Sequence, residues 1–311
     1  MKKSRRRLLI LIFLVLIGFG LNRLYFFVTA GFNIKNIHSD FSFHPDWEVR
    51  ALAEEEKPII VKALNQPYTY LAKGCQSYAF LSQDGQYVIK FFKYHNFRLH
   101  KWLQLFPPLP AIVQYREEKF AKKQKNLDTF IKGWKVAFEN LKEETGLLFV
   151  HLNKTTNLQQ NLTILDKIGS SYQIPLDQME FCVQKRATLL CQALLNHRDK
   201  GELVEAQQVI SRLIHLIVSE YQRGIADTDY SLMQNTGVVD GRPIHIDVGQ
   251  FVITERVKNP EVYHQELFTK TFKFRNWLAM HYPELKVHLE NELRQVIGSA
   301  FETMQPKFKK K

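Results

Sequence analysis

The sequence has few of the residues from which metal centres and disulfide scaffolds are built. Its 311 residues hold three cysteines, Cys75, Cys182 and Cys191. They form no CxxC pair and no even framework, so neither a zinc site of that kind nor a cross-linked secreted module is expected. The histidines lack metal-ligand spacing: His95 and His100, or His245 beside Asp247, read as surface or internally satisfied residues. Serine, histidine and aspartate do not follow one another as a nucleophilic triad, and there is neither an internal repeat nor a low-complexity tract.

Charge of one sign is also missing from most of the chain, although the total is +12. Lys2, Lys3, Arg5, Arg6 and Arg7 supply five of the positive charges and Lys307, Lys309, Lys310 and Lys311 four, which leaves about +3 for everything between. A basic face for a specific nucleic-acid partner is therefore excluded, and the basic tail 307–311 suits solvent or a membrane surface.

Long apolar runs are confined to the amino terminus. The basic start KKSRRR precedes Leu8 to Leu21, fourteen apolar or small residues, and Leu24 to Val28 resumes the run after Asn22-Arg23. Leu8 to Val28 is long enough for a single-pass anchor, with Arg23 able to snorkel. A cleaved signal peptide is the competing reading, because Val28-Thr29-Ala30 offers small residues; Asn22 and Arg23 interrupt the approach to that site and favour the anchor. Cations ahead of the run would leave the body on the non-cytoplasmic side, where nucleotide triphosphate is scarce in a bacterium, though not in a eukaryotic secretory lumen.

The chemistry-bearing residues gather between Asp227 and Phe251. Asp229 and Asn235 lie in a polar loop after Gly224, a helix terminator. Two short apolar runs follow, joined by Asp240-Gly241, a two-residue hairpin signal, and the second delivers Asp247 into Val248-Gly249. Upstream, Tyr68 to Lys93 reads as two alternating runs joined by Asp84-Gly85, with Gly74-Cys75-Gln76-Ser77 near its start and Val88-Ile89-Lys90 near its end.

An acid and an amide in a loop, a hairpin, an acid before glycine and an upstream strand lysine together resemble the protein-kinase-like superfamily, in a divergent, atypical and membrane-anchored form. The resemblance covers about residues 68 to 253. It implies an α+β, two-lobed fold with a small antiparallel-sheet N-lobe and a mainly helical C-lobe. The expected divisions are an anchor or signal at 1–30, a linker and helix at 31–66, the N-lobe with a long inserted helix at 67–187, the C-lobe at 188–306 and the tail at 307–311. It further implies a phosphotransferase using ATP and Mg2+. In that scheme Asp229, with Asp227 as the alternative, orients an acceptor hydroxyl, while Asn235 and Asp247 hold the metal. Lys90 meets the phosphates, Glu118 or Glu117 on the long helix pairs with Lys90, Gly74 and Ser77 cover the phosphates, and the backbone around Gln184 reads the base.

The pattern departs from the family in places. The amide stands six residues after Asp229, with Gln234 at five, and Ala226-Asp227-Thr228 replaces the usual His-Arg or His-Gly. Gln76 and Ala79 occupy two glycine positions of the loop. No Ala-Pro-Glu follows, which weakens a protein substrate and favours a minimal lobe like those of small-molecule or sugar kinases; the acceptor expected is an unknown hydroxyl of a small molecule, sugar, lipid or protein. A catalytically inactive kinase-like binding module tethered to the membrane is the alternative function, and an unrelated anchored structural protein a third.

Other helices are expected over Trp47 to Leu64, Phe97 to Phe106, Ala111 to Glu144, Thr188 to Asn196, Leu203 to Tyr221, Val262 to His281 and Glu284 to Thr303. Strands are expected at Leu147 to Leu152, Leu162 to Leu165 and Phe181 to Val183.

Overall fold

The computed structural model describes residues 2–99, 103 and 105–308. Helix α1 (Lys2–Val28) runs unbroken through Asn22-Arg23 and is exposed over nearly its whole length. Its segment Arg5–Val28 contains an 18-residue window with a mean hydropathy of 2.2 and is long and apolar enough to cross a membrane; 24 residues span about 36 Å.

The chain then wraps over the N-lobe through a single turn, α2 (Ile34–Ile37), and α3 (Lys57–Leu64). The helix expected from Trp47 begins only at Lys57. Glu56 is the reason: its carboxylate accepts from the Ala53 backbone and from Arg50 and Lys142, which holds residues 50–56 in a loop. Pro58 then suits a first helical turn.

The expected pair of runs at Tyr68 to Lys93 is three strands, β1 (Tyr68–Lys73), β2 (Ser77–Ser82) and β3 (Tyr87–Phe92), because Gly74 to Gln76 form a turn of their own. Helix α4 (Pro110–Asn140) and the turn α5 (Lys142–Thr145) come next, followed by β4 (Leu147–His151), β5 (Asn161–Leu165), β6 (Ser171–Pro175) and β7 (Phe181–Lys185). The short helix expected over Phe97 to Phe106 falls partly on residues outside those described.

The sheet order is β4-β7-β3-β2-β1-β5-β6. It is antiparallel except where β5 lies parallel to β1, so the β5–β6 hairpin is an addition at one edge. Strand alternation gives the sheet two covered faces. Phe80, Ile89, Phe91, Phe181 and Val183 meet Phe32, Ile37, Ile60 and Leu64 on one face. Phe92, Val150 and Cys182 meet Phe130, Ile131, Trp134 and Phe138 of α4 on the other. Each large apolar side chain buried this way contributes about 1.5–3 kcal/mol.

The helical lobe contains β8 (Thr188–Leu189), α6 (Leu190–Lys200), α7 (Leu203–Gln222), β9 (Ile225–Asp227), α8 (Leu232–Asn235), β10 (Thr236–Val239), β11 (Arg242–His245), β12 (Phe251–Ile253), α9 (Pro260–His281) and α10 (Pro283–Ile297). Its core is the apolar stripe of α7 (Val209, Ile210, Leu213, Ile214, Ile217) against Leu267, Phe274, Leu278, Leu285 and Leu289. Asp240-Gly241 makes the expected hairpin turn, both residues at positive φ, 48° and 72°. A sheet lobe carrying one long helix, followed by a helical lobe, is the two-lobed α+β architecture that the resemblance implied.

Candidate functional site

Lys90 is positioned by register. In β3 it pairs with Ala79 on one side and Cys182 on the other. The period of two turns its side chain away from the Ile89–Phe91 face and toward α4. There its ammonium donates to the Ile246 carbonyl, which crosses from one lobe to the other, and lies 5.8 Å from the Trp134 ring centre. Asp247 is the next residue. Burial pushes its carboxyl above the ordinary range, as do the charges of Asp227 and Asp229, while Lys90 and the Gly249 N–H pull it down.

Helix α4 presses on this triplet through Gly133 and Phe130. A methyl group on Gly133 would stand 2.8 Å from the Gly249 carbonyl carbon and 2.9 Å from its oxygen. Gly249 in turn is hemmed in by Phe130 and Gln76: a side chain there would meet the Gln76 amide oxygen at 2.6 Å and the Phe130 ring at 2.7 Å. Two glycines thus permit the contact between α4 and Val248-Gly249.

The acidic loop is brought to the triplet by pairing of β9 with β12, in which Asp227 faces Phe251, and by donation from the Thr228 N–H to the Gln250 carbonyl at 3.1 Å. Asp227 points inward. It accepts from the Lys270 ammonium at 2.8 Å, with both side chains under 5% exposed, and from the Asp229 N–H at 2.9 Å. Asp229 is half-buried. Burial alone would raise its pKa, but hydrogen bonds from Ser231 and from the Asn235 side chain hold it below the ordinary value, aided by Lys270. The extra residue between Asp229 and Asn235 is absorbed by α8, whose one turn leaves Gln234 exposed and buries Asn235. The Ile246 N–H donates to the Asn235 carbonyl at 2.8 Å, which ties the loop to the triplet.

The loop over the site is built from Gly74 and Ser77, whose backbones are joined at 2.9 Å. Lys93 secures it from below: its N–H donates to Gln76 and its ammonium to the Gly74 carbonyl. Burial, with Lys73 nearby, lowers the Lys93 pKa to about 8. The Gln76 amide oxygen is buried without a hydrogen-bond partner.

Lys90, Asp247, Asp229, Asn235 and Asp227 therefore lie near one another, and Gln76, between Gly74 and Ser77, reaches Gly249. Two sets of expected residues lie elsewhere. Glu117 and Glu118 are exposed, and Glu118 accepts from Gln114 at 3.0 Å. Sixteen residues separate Glu118 from Trp134, about 24 Å along the helix, and among the described residues no acid pairs with Lys90 within 4 Å. Gln184 lies inside β7 between β3 and β4, and its amide donates to the Thr145 and His245 carbonyls, so it fastens the sheet to the helical lobe.

Sequence reasoning missed Lys270 and Lys93. The signal for Lys270 was a lone cation in the otherwise apolar and threonine-rich run Leu267 to Thr271. His245, expected to be a surface or internally satisfied residue, is the latter: it pairs with Glu220 at 2.8 Å, both nearly inaccessible. A cavity of about 890 Å³ lies among Gly146, Lys185, Arg212 and Pro243, and none of these site residues lines it; the site is recognised by its side chains. Among the described residues no cluster of three or more His, Cys, Asp or Glu forms a metal centre unaided.

No family model matches the chain, and no curated protein matches it. Among solved structures, the chain is similar to crystal structures of WbdD, one of which is described as a bifunctional kinase-methyltransferase. One such match has 17% identity and a TM-score of 0.37, covering 79% of this chain and 49% of that one. The chain thus spans less than half the length of the WbdD chains it matches, from 42% to 49%. It is also similar to APH(2")-IIa in a ternary complex with streptomycin and ATP, at 14% identity and a TM-score of 0.25, covering 83% of this chain and 98% of that one. A third similarity is to Rv3197 from Mycobacterium tuberculosis in complex with erythromycin, at 11% identity and a TM-score of 0.29, covering 90% of this chain and 74% of that one.

Proposed function

We propose that the chain is an ATP- and magnesium-dependent phosphotransferase acting on a hydroxyl acceptor. The observation that carries the reading is the meeting of Lys90 from the sheet lobe with Asp247, Asp229 and Asn235 from the helical lobe. The donor set fits the metal, since magnesium takes one or two carboxylates, an amide oxygen and phosphate oxygens. Asp247 is raised by burial and by its acidic neighbours, so a cation beside it would relieve that penalty. Asp247 and Asn235 would hold magnesium, which would supply positive charge against the phosphates. Lys90 would neutralise phosphate oxygens once released from the Ile246 carbonyl. Asp229, kept anionic by its hydrogen bonds, would orient the acceptor hydroxyl and take its proton.

A kinase-shaped binding module without turnover is the second reading. Among the described residues no carboxylate lies within 4 Å of the Lys90 ammonium, and Gln76 lies over Gly249 where the loop would have to admit phosphates. Titration of the full chain in detergent with ATP, with and without magnesium, tests nucleotide binding, and phosphate transfer or release tests turnover. The phosphotransferase reading expects magnesium-dependent binding that Asp247→Asn abolishes, and turnover that Asp229→Ala removes while binding persists. Binding without turnover in the parent chain supports the module, and no binding at all sinks both.

A further inference from the structure

The joint between α1 and the body contains no linker. Val28 ends the helix, and Thr29, Ala30, Gly31 and Phe32 are all buried. The Thr29 hydroxyl donates to the Tyr25 carbonyl at 2.7 Å, the Phe32 N–H donates to the Thr29 carbonyl at 3.0 Å, and the Gly31 carbonyl accepts from the Tyr78 hydroxyl and the Asn36 amide. Phe32 sets its ring edge-on against Tyr78, Phe80 and Tyr172 at 5.2 to 5.6 Å. Gly31 has φ +73°, and the Phe26 ring fills the space where a side chain would stand. The helix is thereby fixed to one end of the sheet lobe.

That end has a composition of its own. Tyr25, Phe26 and Phe27 are half or more exposed. The Lys73 ammonium lies 4.7 Å from the Phe26 ring centre and the Lys167 ammonium 5.6 Å from that of Phe27. Beside Lys167, in the β5–β6 turn, Ile168 is 55% exposed. Aromatic rings at the end of an apolar helix belong at headgroup depth, and lysines stacked on them there meet lipid phosphates.

We propose that Lys73, Lys167 and Ile168 form a face that docks on the surface of the bilayer α1 crosses, with anionic lipid headgroups as its partner. The inference rests on α1 as the span and is independent of turnover. The β5–β6 hairpin, the addition to the sheet edge, then serves as a foot on the membrane. Lys73 directly precedes Gly74, so the loop over the site lies next to that surface.

The test uses the full chain in nanodiscs containing anionic lipid, in ordinary and brominated forms. Ile168→Trp reports at the foot and Val204→Trp on the exposed start of α7, each read against the parent chain's own tryptophans. The proposal expects brominated lipid to reduce the added fluorescence of Ile168→Trp by roughly half and to leave that of Val204→Trp unchanged. Adding Lys73→Glu with Lys167→Glu should restore the fluorescence. Equal quenching at the two positions overturns the docking face. Quenching that survives charge reversal, or that is as strong in purely zwitterionic discs, overturns the anionic-headgroup partner.

Discussion

Three aspartates share the site, and their surroundings divide them. Asp227 is spent on Lys270 and on the Asp229 N–H, so its role is to position Asp229. Removing one partner of a pair this buried strands the other charge, at a cost of about 3–5 kcal/mol. Lys270→Ala should therefore lower stability by that amount in urea unfolding, and Lys270→Met combined with Asp227→Asn should recover most of it. Asp247 is in the opposite position. Its raised pKa means that the folded chain holds the proton more tightly than the unfolded one. The stability linked to it is complete below the unfolded value, about 3.9, and is lost as pH rises through the folded value. Asp247→Asn should accordingly raise the metal-free thermal midpoint at pH 7, with the gain shrinking as pH falls toward 4. A midpoint that drops at pH 7 would show that the carboxylate stabilises the fold.

Among the elements, the ones read correctly carry their own punctuation. Asp240-Gly241 and Gly224 dictate a hairpin and a helix stop whatever surrounds them, and α7 shows its stripe at helical period. Legibility fails where the answer lies in another element. The long helix was expected, but the part of it that meets Lys90 could not be read: acids invited a pairing at Glu117 or Glu118, whereas α4 approaches the sheet through Phe130, Gly133 and Trp134, four turns later. Likewise, the spacing from Asp229 to Asn235 looked faulty only because a turn of helix inside the loop has no periodic signature. Glycine at 133 is a contact requirement, since even a methyl group meets Gly249 backbone. Gly133→Ala should cost about 1–3 kcal/mol of stability by overpacking. It should also weaken nucleotide binding out of proportion, because the strain falls on the Asp247–Gly249 triplet; unchanged binding would mean that α4 does not set the triplet's position.

At the scale of the whole molecule, the residues that follow α1 pack directly into the sheet lobe. Composition divides an apolar segment from a globular body, and it has no means of marking Phe32, which belongs to no regular element, as a central residue of the sheet-lobe core. Phe32 is 1% exposed and is surrounded by Tyr78, Phe80 and Tyr172, rings held by their own strands, so the neighbours have little freedom to close over a void. Phe32→Ala should then cost about 3–5 kcal/mol. Because Phe32 also fastens α1 to the body, the same change should speed amide hydrogen exchange over residues 29–37 in nanodiscs more than over β10 and β11. If both regions accelerate together, the joint is part of one cooperative unit with the helical lobe; if neither does, the helix and the lobe are coupled by the membrane surface alone and the buried turn contributes nothing to the body's orientation.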